Sequence, residues 1–222
     1  VVKNNPEIDH DRIIIGGCSN GGYMTMEMVL KHPDYFLKAY PICEAFYDEF
    51  ITDDMLKAVK KGGTEFWFTY AKNDTTVDPT LTAIPTIKRM QKLGIPVHTS
   101  VWDDVHDTTG RFWLDEDGQL TSEKTGTPYQ YMGHWSWIYF DNNSNICDDC
   151  KKNEWKWLAE YTPKKEETVK KEDSKKDTTQ KKDDKKSAKT SDNSQVVFYA
   201  GTFFMTMIAL AGVVVFKKKF HE

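Results

Sequence analysis

The sequence has few cysteines and a small net charge, and each of these features argues against one class of protein. Four cysteines in 222 residues, without a regular spacing, are too few for a fold held together by disulfides. A formal net charge of −4 is a near-neutral balance, so nucleic acid is not an obvious partner. The chain has neither an initiator Met nor a recognisable N-terminal signal peptide.

The four cysteines lie in two kinds of surroundings. Cys18 and Cys43 stand among apolar residues and are predicted to be buried thiols. Cys147 and Cys150 form a single Cys-x-x-Cys pair, which alone cannot supply the four ligands of a structural zinc site. This favours a local disulfide or two free thiols over a metal centre.

The most informative motif runs from Gly17 to Gly21 and reads Gly-Cys-Ser-Asn-Gly. An apolar run at 12–15 precedes it, and a stretch without proline at 22–30 follows it and is predicted to be a helix. A strand, a Gly-x-Ser-x-Gly turn and a helix, in that order, are typical of a nucleophile elbow. Gly17 and Gly21 would keep the turn tight, and the glycine after them would let the helix approach the strand. Ser19 is therefore the candidate nucleophile, and a glycine-rich turn with a bystander serine is the alternative.

A serine hydroxyl becomes a good nucleophile only when a base takes its proton and an acid orients that base. In this order of elements the acid is expected after a later strand. Asp74 follows the predicted strand 64–70 and stands in an Asp-x-x-Val segment before a proline, so it is the candidate acid. Asp78 is the rival, although an N-cap role at the following helix would explain it.

The base should be a histidine that follows the acid in sequence. His134 lies in a Gly-His-x-Ser-Trp turn that opens a predicted helix. His106 comes soon after the predicted strand 97–102, a frequent position for such a histidine. The sequence favours His134 and keeps His106 as the alternative base; a structural role in a loop is the other explanation of either residue.

Strand and helix signals alternate over residues 11–162, which predicts a doubly wound, mostly parallel sheet with helices on both faces. Pro85 should kink the predicted helix 79–93 or mark its true start. Residues 107–132 interrupt the alternation, and their acidic, glycine-containing turn predicts an inserted hairpin over the cleft. The remaining predicted elements are an apolar run at 36–41, a helix at 53–61 and short closing helices at 134–139 and 153–161.

The composition changes after residue 162. Residues 163–194 are rich in Lys, Asp and Glu and are predicted to be a disordered linker, with a single charged helix as the alternative. Residues 195–216 contain no charge and are long enough to span a bilayer as one transmembrane helix, against the alternative of a buried core helix. Three lysines open the segment 217–222, which predicts a cytoplasmic tail and a catalytic part outside a single-pass cell membrane protein.

The elbow, the Asp74 loop and the Gly-His-x-Ser-Trp segment, followed by a Trp-Leu pair at 157–158, resemble the C-terminal half of α/β-hydrolases. They are most similar to bacterial esterases and peptidases of the prolyl oligopeptidase and dienelactone hydrolase type. The resemblance implies acyl transfer to water, in which Ser19 attacks a carbonyl carbon, His134 carries the proton and Asp74 orients His134. It implies that the Asn20 N–H is one oxyanion donor, and that no metal or organic cofactor is required.

Because an elbow normally lies well inside its domain, residues 1–162 are expected to be a partial α/β-hydrolase domain. The missing part would carry the preceding strands and the second oxyanion donor. The expected activity is hydrolysis of a carboxylic ester, with a small ester or an acylated carbohydrate as substrate. A peptidase of prolyl oligopeptidase type and a non-catalytic surface binding protein are the alternatives. Aromatic residues near His134 could stack on a sugar or a phenolic acyl group, or form a small core: Trp113, Tyr129, Tyr131, Trp135 and Trp137.

Overall fold

The computed structural model describes residues 4–161, and their centre is a four-stranded parallel sheet in the order β1-β2-β3-β4. The strands are β1 (Ile14–Cys18), β2 (Lys38–Ile42), β3 (Glu65–Ala71) and β4 (Val97–Trp102). Helices α1 (Asn20–Lys31), α2 (Asp53–Gly62) and α3 (Ala83–Leu93) connect them in turn. The predicted alternation of strands and helices is confirmed, and it gives the parallel sheet of an α/β-hydrolase-like fold.

Strand β3 shows why both faces of the sheet must be covered. Successive side chains of a strand point to opposite faces. Phe66 and Phe68 pack with α1, α2 and α3 in the larger core, whereas Trp67 packs on the other face with Cys147 and Trp157. Phe66, Trp67 and Phe68 are all fully buried, so this strand is the centre of the two-sided core.

The ends of two helices follow from local chemistry. Helix α2 begins after Thr52, whose Oγ accepts the Met55 N–H, and ends at Gly63 with a left-handed φ of 77°. Pro85 is the third residue of α3, where a backbone N–H has no partner within the helix. Of the two roles predicted for Pro85, it therefore marks the true start of the helix, which begins four residues later than position 79.

The inserted segment forms two small antiparallel pairs. Strand β6 (Trp113–Leu114) pairs with β7 (Leu120–Thr121), which confirms the predicted hairpin. Strand β5 (Val105–His106) pairs with β8 (Gln130–Tyr131), so the two ends of the insertion are joined to each other. In the acidic turn, Asp115 accepts hydrogen bonds from the Asp117 and Gln119 N–H groups.

Two short helices close the described chain, α4 (Trp137–Asp141) and α5 (Glu154–Ala159). Residues 133–135 form a separate 3₁₀ turn before α4, where the sequence predicted one continuous helix. Among residues 4–161 no helix is long and apolar enough to cross a membrane. The predicted linker 163–194, transmembrane helix 195–216 and tail 217–222 lie outside the described residues.

Candidate active site

Ser19 lies in the sharp turn between β1 and α1. Its backbone has φ 56° and ψ −115°, a strained conformation for a residue with a side chain, as an elbow requires. The Ser19 N–H donates to the Ile42 carbonyl at 2.9 Å, which ties the turn to the end of β2. Ser19 is therefore held at the carboxyl end of the sheet, where ligands of open α/β sheets bind.

The glycines of the elbow have unequal roles. A Cβ on Gly17 would lie 2.9 Å from the Gly21 backbone, and a Cβ on Gly22 would lie 2.7 Å from the Glu44 Cα. Both positions therefore exclude a side chain. A Cβ on Gly21 would meet nothing within 4 Å, so the expectation that Gly21 is needed for the tight turn is wrong. The turn is tight at Gly17, where the chain enters it.

His134 contacts both of the residues predicted to act with it. Its Nε2 lies 2.9 Å from the Ser19 Oγ, and its Nδ1 lies 2.8 Å from the Asp74 Oδ2. The His134 and Asp74 side chains are only 10% and 1% exposed. Three residues from β1–α1, the loop after β3 and the turn before α4 thus form one continuous hydrogen-bonded row.

Asp74 is oriented by its own loop. Its Oδ1 accepts the N–H groups of Thr76 and Val77, both at 2.9 Å, which leaves Oδ2 directed at His134. Asp78, the rival acid, accepts the N–H and hydroxyl of Thr80. The N-cap role suggested for Asp78 is wrong, because α3 begins later and its N-cap is Thr82.

Gly133 allows the histidine turn to reach the aspartate loop. A Cβ at this position would lie 2.4 Å from the Asn73 carbonyl oxygen, so only glycine fits. The ring of Trp137 meets His134 edge-on at 5.6 Å, which restricts rotation of the imidazole. The Gly-His-x-Ser-Trp segment thus contributes both a close approach and a packing partner.

His106, the alternative base, has other partners. Its Nδ1 lies 2.7 Å from the Asp104 Oδ1, and its backbone N–H donates to the Tyr139 hydroxyl at 2.9 Å. That hydroxyl in turn donates to the Asp104 carbonyl, and the Tyr139 ring stacks on Trp102 at 3.6 Å. The structure therefore brings His134, and not His106, to Ser19.

The wall behind Ser19 is formed by the end of β2. Cys43 has a positive φ of 37° and is buried, and burial raises the pKa of its thiol to about 12. The thiol is therefore protonated at neutral pH and is no competing nucleophile. Cys18 was also expected to be buried, and this expectation is wrong because Cys18 is exposed. It is the last residue of β1, which lies at the edge of the described sheet. Burial likewise raises the pKa of the Glu44 carboxyl to about 8.

The N–H groups of the first turn of a helix have no partner inside the helix. Asn20 is the first residue of α1 and directly follows Ser19, so its N–H stands where the positive end of the helix dipole favours a developing oxyanion.

The aromatic residues near His134 contact one another in a row. The ring centroids of Tyr129 and Tyr131 are 5.0 Å apart, those of Tyr131 and Trp135 are 6.1 Å apart, and those of Trp135 and Trp137 are 6.0 Å apart. Trp135 remains 39% exposed. A separate cavity of about 270 Å³ lies between the start of the insertion and α4, and Ser19 and His134 do not line it.

Comparison with protein families gives a match over the first part of the chain. Residues 1–73 match the prolyl oligopeptidase family model, a segment that contains Ser19 and stops one residue before Asp74. The chain resembles α/β-hydrolases of the prolyl oligopeptidase type. The match covers 73 of the 222 residues. No curated protein sequence matches the chain.

Similar solved structures include esterases and peptidases. A thermostable esterase has 21% identity and a TM-score of 0.47, over 71% of this chain and 33% of its own. An acylaminoacyl peptidase in complex with a chloromethyl ketone has 18% identity and a TM-score of 0.36, over 47% and 21%. An S-formylglutathione hydrolase from Staphylococcus aureus has 20% identity and a TM-score of 0.35, over 48% and 49%. Because the TM-scores are below 0.5, they carry no weight for function. The chain spans about a third of the length of the esterase.

Two features of the site region were not visible in the sequence. Thr69, Asn145 and Glu154 form a buried hydrogen-bonded group below the sheet, assembled from segments far apart in the chain. The second is the contact of His98, in β4, with the sulfurs of Cys147 and Cys150. The disulfide between these two cysteines is one of the two states that the sequence predicted. A histidine inside a predicted strand gives no local signal of its contact with the sulfurs.

Proposed function

We propose that the protein is a serine hydrolase that cleaves carboxylic esters by acyl transfer to water. The observation that carries the proposal is the row Asp74–His134–Ser19, with contacts of 2.8 and 2.9 Å. Nucleophile, base and orienting acid in hydrogen-bond contact are the arrangement that activates a serine hydroxyl. The strained backbone of Ser19 supports the same role, since strain concentrates at functional positions.

In the proposed mechanism the Ser19 Oγ attacks the ester carbonyl while His134 Nε2 accepts the hydroxyl proton. Asp74 holds the Nδ1–H tautomer and stabilises the imidazolium that forms. The Asn20 N–H donates to the oxyanion of the tetrahedral intermediate. His134 then gives its proton to the leaving alcohol, and water releases the acyl group by the same steps.

A small ester or an acylated carbohydrate is the proposed substrate class. The support for it is the aromatic row, in which Trp135 is next in sequence to His134 and is still 39% exposed. Flat aromatic faces stack on sugar rings and on aromatic acyl groups.

A peptidase is the second candidate, because the matched family is that of prolyl oligopeptidase. Both reactions use the same acyl-enzyme chemistry, so the triad alone does not separate them. Turnover of an acyl ester and of the matching peptide amide, measured side by side, decides between the two.

The deciding test is labelling of the complete protein with a fluorophosphonate probe, which reacts with an activated serine. Labelling should map to Ser19, and Ser19→Ala should abolish it together with nearly all ester hydrolysis, a loss of about 10⁴–10⁶ in turnover. A folded Ser19→Ala protein that kept a tenth of the activity would refute the proposal. A wild-type protein that neither reacts nor turns over would favour the non-catalytic binding protein.

A further inference from the structure

The disulfide between Cys147 and Cys150 has a third potential ligand beside it. The Nδ1 of His98 lies 3.7 Å from the Cys147 Sγ and 3.6 Å from the Cys150 Sγ. The three donor atoms lie within 4.8 Å of one another, although His98 is about fifty residues away in sequence. The sequence argued against a metal here because it showed only two ligands, and the fold supplies the third.

We propose that, when this disulfide is reduced, Cys147, Cys150 and His98 bind a Zn²⁺ ion. Zinc bonds of about 2.3 Å to sulfur and about 2.0–2.1 Å to nitrogen, at tetrahedral angles, separate the two donors by about 3.6 Å. The observed distances from imidazole to sulfur match that value. Two thiolates and a neutral imidazole also balance the charge of Zn²⁺.

The backbone of the cysteine turn is shaped to present both sulfurs to one ion. The Cys150 N–H donates to the Cys147 Sγ at 3.0 Å, a bond that stabilises a thiolate. Lys151 then adopts a left-handed φ of 55°, and its N–H donates to the Cys147 carbonyl, which turns the chain back. The Cys147 N–H donates to the Lys152 carbonyl and closes the turn.

The imidazole of His98 is held in place for this role. Its ring lies 5.4 Å from that of Trp67 and 5.8 Å from that of Trp157, and the two indoles also contact each other, so the imidazole packs against both. Cys147 is buried and Cys150 is exposed, so an ion could enter from solvent. The exposed side leaves room for water as the fourth ligand.

The chemistry balances with a dithiol reductant. The dithiol transfers two electrons and two protons to the disulfide, yields two thiols and becomes a disulfide itself. Zn²⁺ then displaces the two thiol protons. The cysteine turn already lies against β4, because the Asp148 N–H donates to the Thr99 carbonyl at 2.8 Å. An ion held by the turn and by His98 of β4 would cross-link the two and should stabilise the fold.

The test is a zinc titration of the full chain after reduction and removal of the dithiol, in competition with a chromophoric chelator. We expect one Zn²⁺ per reduced chain, none at this site in the oxidised chain, and a higher melting temperature with the ion. Co²⁺ in its place should show a thiolate-to-metal absorption band. Cys150→Ser and His98→Ala should each weaken binding by at least about 100-fold.

Two matched variants control for adventitious ligands. His32→Ala changes an exposed histidine, and Cys18→Ser removes the exposed free thiol, so both should bind zinc as the wild type does. Cys150→Ser alters an exposed residue and keeps the test valid if His98→Ala fails to fold, as judged by circular dichroism. The proposal is overturned if the reduced chain binds zinc no more tightly than Cys150→Ser, or if Co²⁺ shows no thiolate band.

Discussion

The molecule contains two histidine–aspartate pairs, one with its aspartate after β3 and the other after β4. The shortest distances within the two pairs are alike, but their sequence separation and their exposure to solvent differ. His134 and Asp74 are 2.8 Å apart, and His106 and Asp104 are 2.7 Å apart. The first pair is 60 residues apart in sequence and the second only two. The side chains of the first pair are 10% and 1% exposed, against 36% and 41% for the second.

The difference teaches that a short His–Asp contact alone does not mark a catalytic pair. Asp104 reaches His106 through local turn geometry, and the exposed pair gains little from water-screened charges. Asp74 reaches His134 only because the fold brings two distant loops together, and the other nitrogen of His134 then meets Ser19. The pair that the tertiary fold assembles, His134 and Asp74, also places the second imidazole nitrogen of His134 beside the Ser19 hydroxyl.

The largest expected effect comes from removing each histidine in turn. His134→Ala should lower ester turnover by about 10⁴–10⁶, as loss of a base does in a triad. His106→Ala should leave turnover within a few-fold, because its ring contacts Asp104 and Tyr139. The measurement is ester turnover, together with the rate at which the fluorophosphonate probe labels Ser19. The opposite ranking would move the base to His106.

The second effect concerns the two aspartates. Asp74→Asn should reduce turnover by about 10⁴, because an amide favours the wrong tautomer of His134. Asp104→Asn is the matched control at the exposed pair and should change turnover little. Equal losses in both variants would mean that the two pairs act together and would end the distinction between them.

The buried site was predictable because its signals are local. The elbow shows in three glycines around Ser19, and Asp74 and His134 follow strand and turn signals in the expected order. The strand at 97–102 was predicted with its observed bounds, since β-branched and apolar residues fill it. The β1 strand extends further than the apolar run at 12–15, because glycines within a strand weaken the sequence signal.

The predictions that were wrong or missing concern tertiary contacts, which leave no pattern in the local sequence. The exposure of Cys18 depends on where β1 leaves the sheet, and the open space beside Gly21 depends on the packing of α1. The pairing of β5 with β8 joins segments about 25 residues apart, and such pairing has no local signature. The segments 163–194 and 195–216 and the membrane location stay predictions.

The third effect tests the close approach that distinguishes the His134 pair. Gly133→Ala should lower turnover by about 100-fold, because a Cβ would meet the Asn73 carbonyl at 2.4 Å and displace the histidine turn. The melting temperature should fall as well. Gly21→Ala is the control for stability, since its Cβ meets open space, and it should melt as the wild type does. Unchanged turnover in Gly133→Ala would show that the turn can accommodate a Cβ without displacing His134.

The last effect is on stability and not on turnover, and it concerns a buried carboxyl whose partners are neutral groups instead of a histidine. The Glu154 Oε2 accepts the Asn145 amide at 2.7 Å and the Thr69 hydroxyl at 3.5 Å. Burial raises the pKa of Glu154 from its usual 4.5 to about 8. Between these values the folded chain keeps a proton that the unfolded chain has released, so the free energy of unfolding falls as the pH rises.

Glu154→Gln mimics the protonated carboxyl and should remove this contribution. The slope lost is at most about 1.4 kcal/mol per pH unit between the two pKa values. The variant should therefore unfold in urea near the wild-type midpoint at the acid end of the window and at a higher midpoint at its alkaline end. Some pH dependence should remain, because the pKa of Glu44 is also raised to about 8 by burial. Glu116→Gln, at an exposed position of the insertion, should follow the wild type throughout. If Glu154→Gln and the wild type kept a constant difference across the window, Glu154 would not hold its proton in the folded chain. The contrast between carboxyls with and without a histidine partner would then fail.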